Sequence, residues 1–583
     1  MNEKISIFDI PHIADLIALH LPRKDKANCT LVSKTFRCQF NPALWRDIRK
    51  QNQQSDEASQ LMYCPAQQQI LVTNGHHIRK LSITETRTCA IIQFLAGPSF
   101  PYGNLDEFDY TYDHRATDYT LYTNVFEILK KNTSLKKLSI SGLYTIHPAT
   151  FTHIFQVLSS HASLTTLALL DTTKVHRRVY QALLHHLPST LESLYLRWGI
   201  SELADPGNFP DSEWREQYPR LRSFSLLLRL RGCQDTTIIP FLRRCPNLEK
   251  LWLTQGAVDN VIRDIALLIE ETPVLPKLSH LSLRGVRVQK DDWMRVVSGM
   301  TGRLKSLSML LLYIDPASLP FEAIATSWAN KLEIIRIQQI SVSSHHIELI
   351  LTTCHKLKTF SVAASLNNDV DPYYSDEVGL SVWHQNQAYN PGDWVCLELE
   401  NLELPIIDAR VVYDGNAMRS RSPLQQSRTW EEWSGQEREE WTIQGIQNVY
   451  HQLGRLAKLR HLRLEWWTAK KYESCANMDM SIESGLEHLE GLRDLRVLDV
   501  SCIQRVNIQQ KEVEWMADKW PRIRKIKGLL EKDDATYNNH LRPEDYKFEE
   551  MYYDEVEPVE IPGAWVPDHI QWLRQQRPHI VIT

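Results

Sequence analysis

The chain has 583 residues, with 66 Lys and Arg against 71 Asp and Glu, a net charge of −5. That balance excludes a strongly basic nucleic-acid coat, and 43% apolar with 23% charged residues is wrong for a disordered chain. No apolar run approaches the roughly 18 residues of a membrane span, and the opening MNEKISIFDIPHIADLI lacks the apolar stretch of a secretory signal. The ten cysteines form no C-x-x-C pair, so zinc-ribbon and thioredoxin patterns are absent. Their scatter fits small buried thiols in a reducing compartment, cytoplasmic or nuclear.

Residues 5–50 form the first module. Ile13, Leu16, Ile17 and Leu21 have helical spacing. Pro11 suits a first helical turn and Pro22 ends the segment. Asp25 is placed to cap a second helix carrying Ala27, Leu31 and Val32, and Pro42 opens a third piece with Leu44 and Trp45. Three short helices bury little surface, so such a unit leans on a partner. Residues 1–50 carry nine bases and five acids, net +4, a field that would speed encounter with an acidic partner. Residues 51–77 read as a linker or first cap.

A repeat of the form L-x-x-L-x-L follows. It opens at Ile78/Leu81/Ile83 and becomes clear at Leu135/Leu138/Ile140. Copies recur through Leu164, Leu191, Leu221, Leu248, Leu278, Leu304, Leu332 and Leu357, then Leu399, Leu459 and Leu495, with a frayed copy at Ile523/Ile526. From Leu164 to Leu357 the spacing averages about 28 residues, the long end of the leucine-rich-repeat range. The last two apolar positions are two apart and share one face of a short strand. Between strands the period becomes helical, as in Ile262/Ile265/Ala266/Ile269, Trp293/Val296/Val297/Met300, Ile347/Ile350/Leu351/Cys354 and Phe151/Ile154/Phe155/Leu158. The pattern predicts an α/β fold: a leucine-rich-repeat solenoid over 78–530 with parallel strands on the concave face and helices on the convex face. The Asn or Cys of the consensus turn is missing, with Val286, Gly256, Gly199 and Ile340 in its place. Trp293 and Trp520 are expected in the core.

Wider gaps place insertions at about 97–120, 364–397, 406–440 and 466–483. They are expected to leave one rim of the solenoid and to expose aromatic residues beside acids, such as Phe108, Tyr110 and Tyr112, Tyr373 and Tyr374, Trp430 and Trp433, and Trp466-Trp467. Strand residues between the apolar ones point across the concave face. They give a candidate protein-binding set of Tyr195, Arg197, Lys250, Trp252, His280, Arg284, Arg336, Gln338, His461 and Arg463, followed by Glu465. Residues 531–583 hold twelve acids and five bases and read as an acidic tail, either a C-terminal cap or a substrate-binding arm.

No catalytic signature is present: no P-loop, no G-x-G-x-x-G, no H-E-x-x-H and no G-x-S-x-G. The pairs His76-His77, His185-His186 and His345-His346 are adjacent and cannot share one helix face as ligands. Cys354-His355 lacks a third group that sequence can place. The reading is therefore of a non-enzyme with no cofactor and no metal.

Residues 5–50 resemble an F-box. The resemblance rests on Ile10-Pro11, Leu16-Ile17, Leu21, Asp25, Val32-Ser33-Lys34, Phe36 and Pro42 with Leu44-Trp45, with His12 where Glu is usual. An F-box ahead of leucine-rich repeats is similar to the F-box/leucine-rich-repeat substrate receptors of the fungal type, over roughly residues 5–530. That resemblance implies docking on the Skp-family adaptor of a cullin-RING (SCF) ubiquitin ligase through Pro11, Ile13, Leu16, Ile17, Leu21, Val32 and Trp45, while the repeats hold a protein substrate. The alternative is a leucine-rich-repeat scaffold whose F-box-like helices only cap the solenoid. Deleting 412–438 should leave folding and adaptor binding intact but change target choice; collapse of the circular-dichroism spectrum would instead make that loop structural.

Overall fold

Period two turns the last apolar pair of each repeat to one side of a strand, where only a neighbouring repeat can cover it. The structure is a computed structural model. It describes residues 11–48, 65–85, 90–98, 100–101, 105–112, 120–142, 157–175, 182–200, 217–229, 238–255, 261–271, 275–285, 289–300, 302–310, 321–338, 342, 344–363, 380–381, 393–407, 435–467, 477–478, 480–501, 505–506, 508–529 and 568–582. The chain divides into two compact units, Met1–Leu278 and Ser279–Thr583.

In the first unit eight strands run parallel in sequence order: β1 (Asp47–Ile48), β2 (Lys80–Glu85), β3 (Glu107–Tyr112), β4 (Lys137–Ser141), β5 (Thr166–Val175), β6 (Ser193–Ile200), β7 (Ser223–Arg229) and β8 (Lys250–Gln255). Register keeps the repeat, so Leu81, Phe108, Leu138, Leu167, Leu194, Phe224 and Leu251 form one buried file. β3 corrects the expected insertion at 97–120. Leu105-x-x-Phe108-x-Tyr110 is a full repeat, with aromatics where a leucine scan looks for leucines. Phe108 and Tyr110 are buried rather than presented to a ligand.

The second unit repeats the arrangement with β9 (His280–Arg284), β10 (Ser306–Leu310), β11 (Ile334–Gln338) and β12 (Thr359–Ala363). A short β13 (Leu380–Ser381) lies against the far end of β14 (Asn401–Ile407), which pairs with β12 and with β15 (His461–Trp467). β16 (Asn477–Met478) leaves the main sheet and pairs with β18 (Arg505–Val506), while β17 (Val497–Asp499), β19 (Lys525–Lys527) and β20 (Val581–Ile582) continue the main ladder. β13 and β16 thus place the described parts of two insertions beyond the C-terminal ends of repeat strands. Trp466-Trp467 belongs to β15 and pairs with Ile406-Ile407, so it does not open a loop. Residues 393–397 are not insertion either: Trp394 and Cys396 are fully buried. Residues 435–440 open the helix Gly435–Gly454. Tyr112's side chain, Tyr373, Tyr374, Trp430, Trp433 and 412–434 lie outside the described residues.

Helices back the strands where the period changes. Val261–Glu271 buries Ile262, Ile265 and Ala266; Lys290–Gly299 buries Trp293, Val296 and Val297; Ser344–Thr353 buries Ile347, Ile350 and Leu351. Trp520 is also fully buried. Phe151, Ile154 and Phe155 lie outside the described residues.

The repeats extend past the expected 78–530 at both ends. β1 pairs with β2 at the front. At the back, the helix Asp568–Gln576 buries Ile570 and Leu573, β20 pairs with β19, and Arg577 Nη2 donates to the Ala517 carbonyl at 2.8 Å. The cap reading of the tail therefore holds for 568–582; residues 530–567 lie outside the described part.

One buried carboxylate joins two repeats. Glu512 is fully buried and accepts from Gln509 N at 3.0 Å and from Ile482 N at 3.2 Å. Glu512→Ala strands both amides and should cost about 2–4 kcal/mol in a denaturant melt. Gly454 packs against the 3₁₀ turn Leu486–Gly491, where a Cβ would run into the carbonyl oxygen of His488. Gly454→Ala should cost about 1–3 kcal/mol by the same melt.

Candidate functional site

The N-terminal helices are α1 (Pro11–His20), α2 (Arg23–Val32) and α3 (Lys34–Trp45). Ser33 caps α3, accepting from Phe36 N at 3.1 Å, and Phe36 stacks on buried Phe40 with centroids 5.5 Å apart. Trp45 Nε1 donates to Asn41 Oδ1 at 3.0 Å, and Asn41 Nδ2 donates to Asn74 Oδ1 at 2.8 Å. With β1 joined to β2, α3 is thus tied to the repeats.

The other two helices differ. α1 buries only its small residues, Ala14 and Ala18, and leaves Leu16 and Leu19 58% exposed. α2 buries nothing and ends in Leu31 and Val32, 76% and 67% exposed. Among the described residues nine large apolar side chains are exposed, and four of them sit on these two helices. Of the residues implied by the F-box resemblance, Leu16 and Val32 are exposed, while Ile13, Ile17, Leu21 and Trp45 are half-buried. Pro11 begins α1, and its side chain lies outside the described residues. The exposed Leu19 and Leu31 lie outside the set implied by the resemblance. Their signal was present, since Leu19 lies one turn from Leu16 and Leu31 adjoins Val32.

On the open sheet face of the first unit, Tyr195, Ser225 and Trp252 occupy one cross-strand file. The small serine lets the two rings approach to 6.5 Å between centroids. Arg197 and Lys250 are exposed at the flanks. The candidate residues on β6 and β8 therefore gather on one patch. On the second unit, His280 and Arg284 lie on β9, Arg336 and Gln338 on β11, and His461 and Arg463 on β15. Arg336 is exposed, whereas His280 Nδ1 lies 2.9 Å from Ser279 Oγ.

Arg463 is engaged within the sheet. Arg336, Ser361, Glu403, Arg463, Asp499 and Lys527 share a file. Ser361 donates to Glu403 at 2.5 Å, Arg463 pairs with Glu403 at 2.9 Å, and Lys527 pairs with Asp499 at 3.1 Å. Burial pushes the Asp499 carboxyl up, but the Ser501 hydrogen bond and the Lys527 charge outweigh it and hold the group below its ordinary range. Arg463, a candidate binding residue by alternation, thus has partners from repeats 36 to 60 residues away, in a pattern visible only in register.

A second charge file runs along the N-terminal edge of the strands, each residue donating its amide to the carbonyl of the one before. In the first unit it reads Arg46, Arg79, Asp106, Lys136, Thr165, Glu192, Arg222 and Glu249. In the second it reads Ser279, Lys305, Glu333, Lys358, Glu400, Arg460, Arg496 and Arg524. Lys136 pairs with Asp106 at 3.0 Å, Lys358 with Glu333 at 2.9 Å, and Arg460 with Glu400 at 2.8 Å. Burial lowers the pKa of His461, and the charges of Arg496 and Arg460 lower it further.

Among the described residues no three His, Cys, Asp or Glu side chains cluster as metal ligands. Burial pushes the Cys354 thiol up to about 11, and His355 Nδ1 faces the Thr353 carbonyl at 2.6 Å. Among the described residues no helix is long and apolar enough to cross a membrane.

No protein-family model matches the chain, and no curated protein matches it. Solved structures with similar folds include an internalin of Listeria monocytogenes, at 13% identity over 78% of this chain and 82% of that one, with a TM-score of 0.26. The TLR13–ssRNA13 complex is similar at 13% identity over 78% and 58%, TM-score 0.30. The Rad7–Elc1 complex of yeast is similar at 15% identity over 63% and 98%, TM-score 0.31. Likeness at these TM-scores carries no argument about partners.

Asp499→Asn should lower stability at neutral pH by about 1–2 kcal/mol. A depressed carboxylate contributes stability that is present above its unfolded pKa of about 3.9 and lost as pH falls through the folded value. The variant's melting temperature should therefore depend less on pH below about 4 than the wild type's.

Proposed function

We propose that this chain is the substrate receptor of an SCF-type ubiquitin ligase and not itself an enzyme. The F-box-like helices bind the Skp-family adaptor, and the open sheet faces bind the protein to be modified. One observation carries this reading: Leu16, Leu19, Leu31 and Val32 are exposed on two helices that their own module does not need for its core. A helical cap alone gives no reason to leave four large apolar side chains in water, whereas an interface does. Burying them would contribute roughly 1.5–3 kcal/mol for each side chain fully covered. The excess of basic residues in 1–50 suits an acidic adaptor. Ubiquitin transfer would then depend on proximity, the receptor raising the effective concentration of its target near the ligase.

The scaffold reading has its own support, since α3 and β1 do close the repeat stack. The two differ at α1 and α2. Co-expressed with the adaptor, the Leu16→Asp/Val32→Asp double variant should lose adaptor capture by tenfold or more, a cost of about 1.4 kcal/mol or above. Its thermal melt should match the wild type, because both side chains are already exposed. Normal capture by the double variant would leave only the scaffold. For the target face, the Trp252→Ala/Arg284→Ala/Arg336→Ala variant should retain the adaptor and lose the target in a comparative pull-down. Retained target would count against the open face.

A further inference from the structure

Like charges on neighbouring strands repel, because adjacent strands lie only about 4.8 Å apart. The charge file along the N-terminal strand edge of the second unit respects this from Lys305 to Arg460, acid alternating with base. It then departs from the pattern with three arginines in succession, Arg460, Arg496 and Arg524. Lys525 adds a fourth positive charge at the start of β19. Arg460 is paired with Glu400. Arg496, Arg524 and Lys525 have no ion-pair partner among the described residues; the acids on either side of Arg496 in sequence are engaged, Asp499 with Lys527 and Asp494 with Arg522.

We propose that Arg496, Arg524 and Lys525, continued by Arg460, form a docking site for an acidic, extended segment of a partner protein. Three uncompensated positive charges on adjacent strands are a repulsive arrangement in the free protein, and an anionic chain laid across the edge relieves it. A guanidinium takes a carboxylate in a bidentate pair, so the arginines suit glutamate or aspartate side chains. The run spans only the last repeats, and the file before it alternates in sign. It is therefore too short to track a nucleic-acid backbone, as the overall charge of −5 also suggests. The site lies on the strand edge opposite the insertions of the second unit and shares no residue with α1 and α2. The chain holds a second source of the same chemistry: residues 530–567 carry eleven acids and three bases.

The test uses the full chain and a fluorescent peptide of alternating glutamate and serine, read by anisotropy at low and physiological salt. The wild type should bind it, and Arg496→Gln/Arg524→Gln should weaken binding by about tenfold with a shallower salt dependence. Arg496→Lys/Arg524→Lys should keep most of the affinity, and Lys305→Gln, in the alternating stretch, all of it. Unchanged binding by the glutamine variant overturns the site, as does equal binding of a lysine–serine peptide. Tighter binding of oligouridylate would overturn the assignment to protein. A chain with 530–567 replaced by a glycine–serine linker of equal length should bind the peptide as the wild type does. If the peptide binds only after that replacement, the run belongs to the chain's own acidic segment and the partner assignment fails. Matching melting curves of the variants exclude misfolding as the cause of any loss.

Discussion

The fold depends on one shared carbonyl per repeat. Lys136 N and Lys137 N both donate to the Asp106 carbonyl, at 2.8 and 2.9 Å, and far along the chain Arg496 N and Val497 N do the same to Arg460, at 2.7 and 3.0 Å. Each carbonyl is satisfied only by the next repeat, as is the edge of each strand. No repeat can therefore stand alone. Both ends of the array need closure, which α3 with β1 supplies at the front and the helix Asp568–Gln576 with β20 at the back.

Strand alternation divides the labour of the side chains. One face of each strand is committed to Leu, Ile, Phe or Val under the helices, and those residues are almost wholly buried. The other face contributes little to the core and is open to other chemistry. In the first unit it carries the Tyr195–Trp252 pair; in the second, much of it is used for a ladder of opposite charges through Glu403, Arg463 and Asp499. On that face Arg463 is compensated by a neighbour in register, Glu403.

The helical module is divided in the same way. α3 gives its aromatic residues and Asn41 to the repeats. α1 and α2 have compact, alanine-lined or polar inner sides and keep leucine and valine outside. α3 thus carries the contacts with the repeats, while the large apolar side chains of α1 and α2 stay outside the module's own core.

The sequence by itself determined the α/β repeat, its period, the core leucines and the helical module, because those features rest on local spacing of apolar residues. It also located the residues of the open faces, since their positions follow from alternation. It missed β3, where Phe108 and Tyr110 replace leucine, and the last repeat at β20, which lies beyond a long acidic stretch. Only the tertiary structure decided which charged residues find partners. That Arg463 is paired on the open face, and that Arg496 on the strand edge has no ion-pair partner among the described residues, depends on residues dozens of positions away, brought to a neighbouring strand. Exposure of Leu16, Leu19, Leu31 and Val32 was likewise settled by packing: helical spacing shows that a helix has an apolar face, while the surrounding elements determine whether anything covers it.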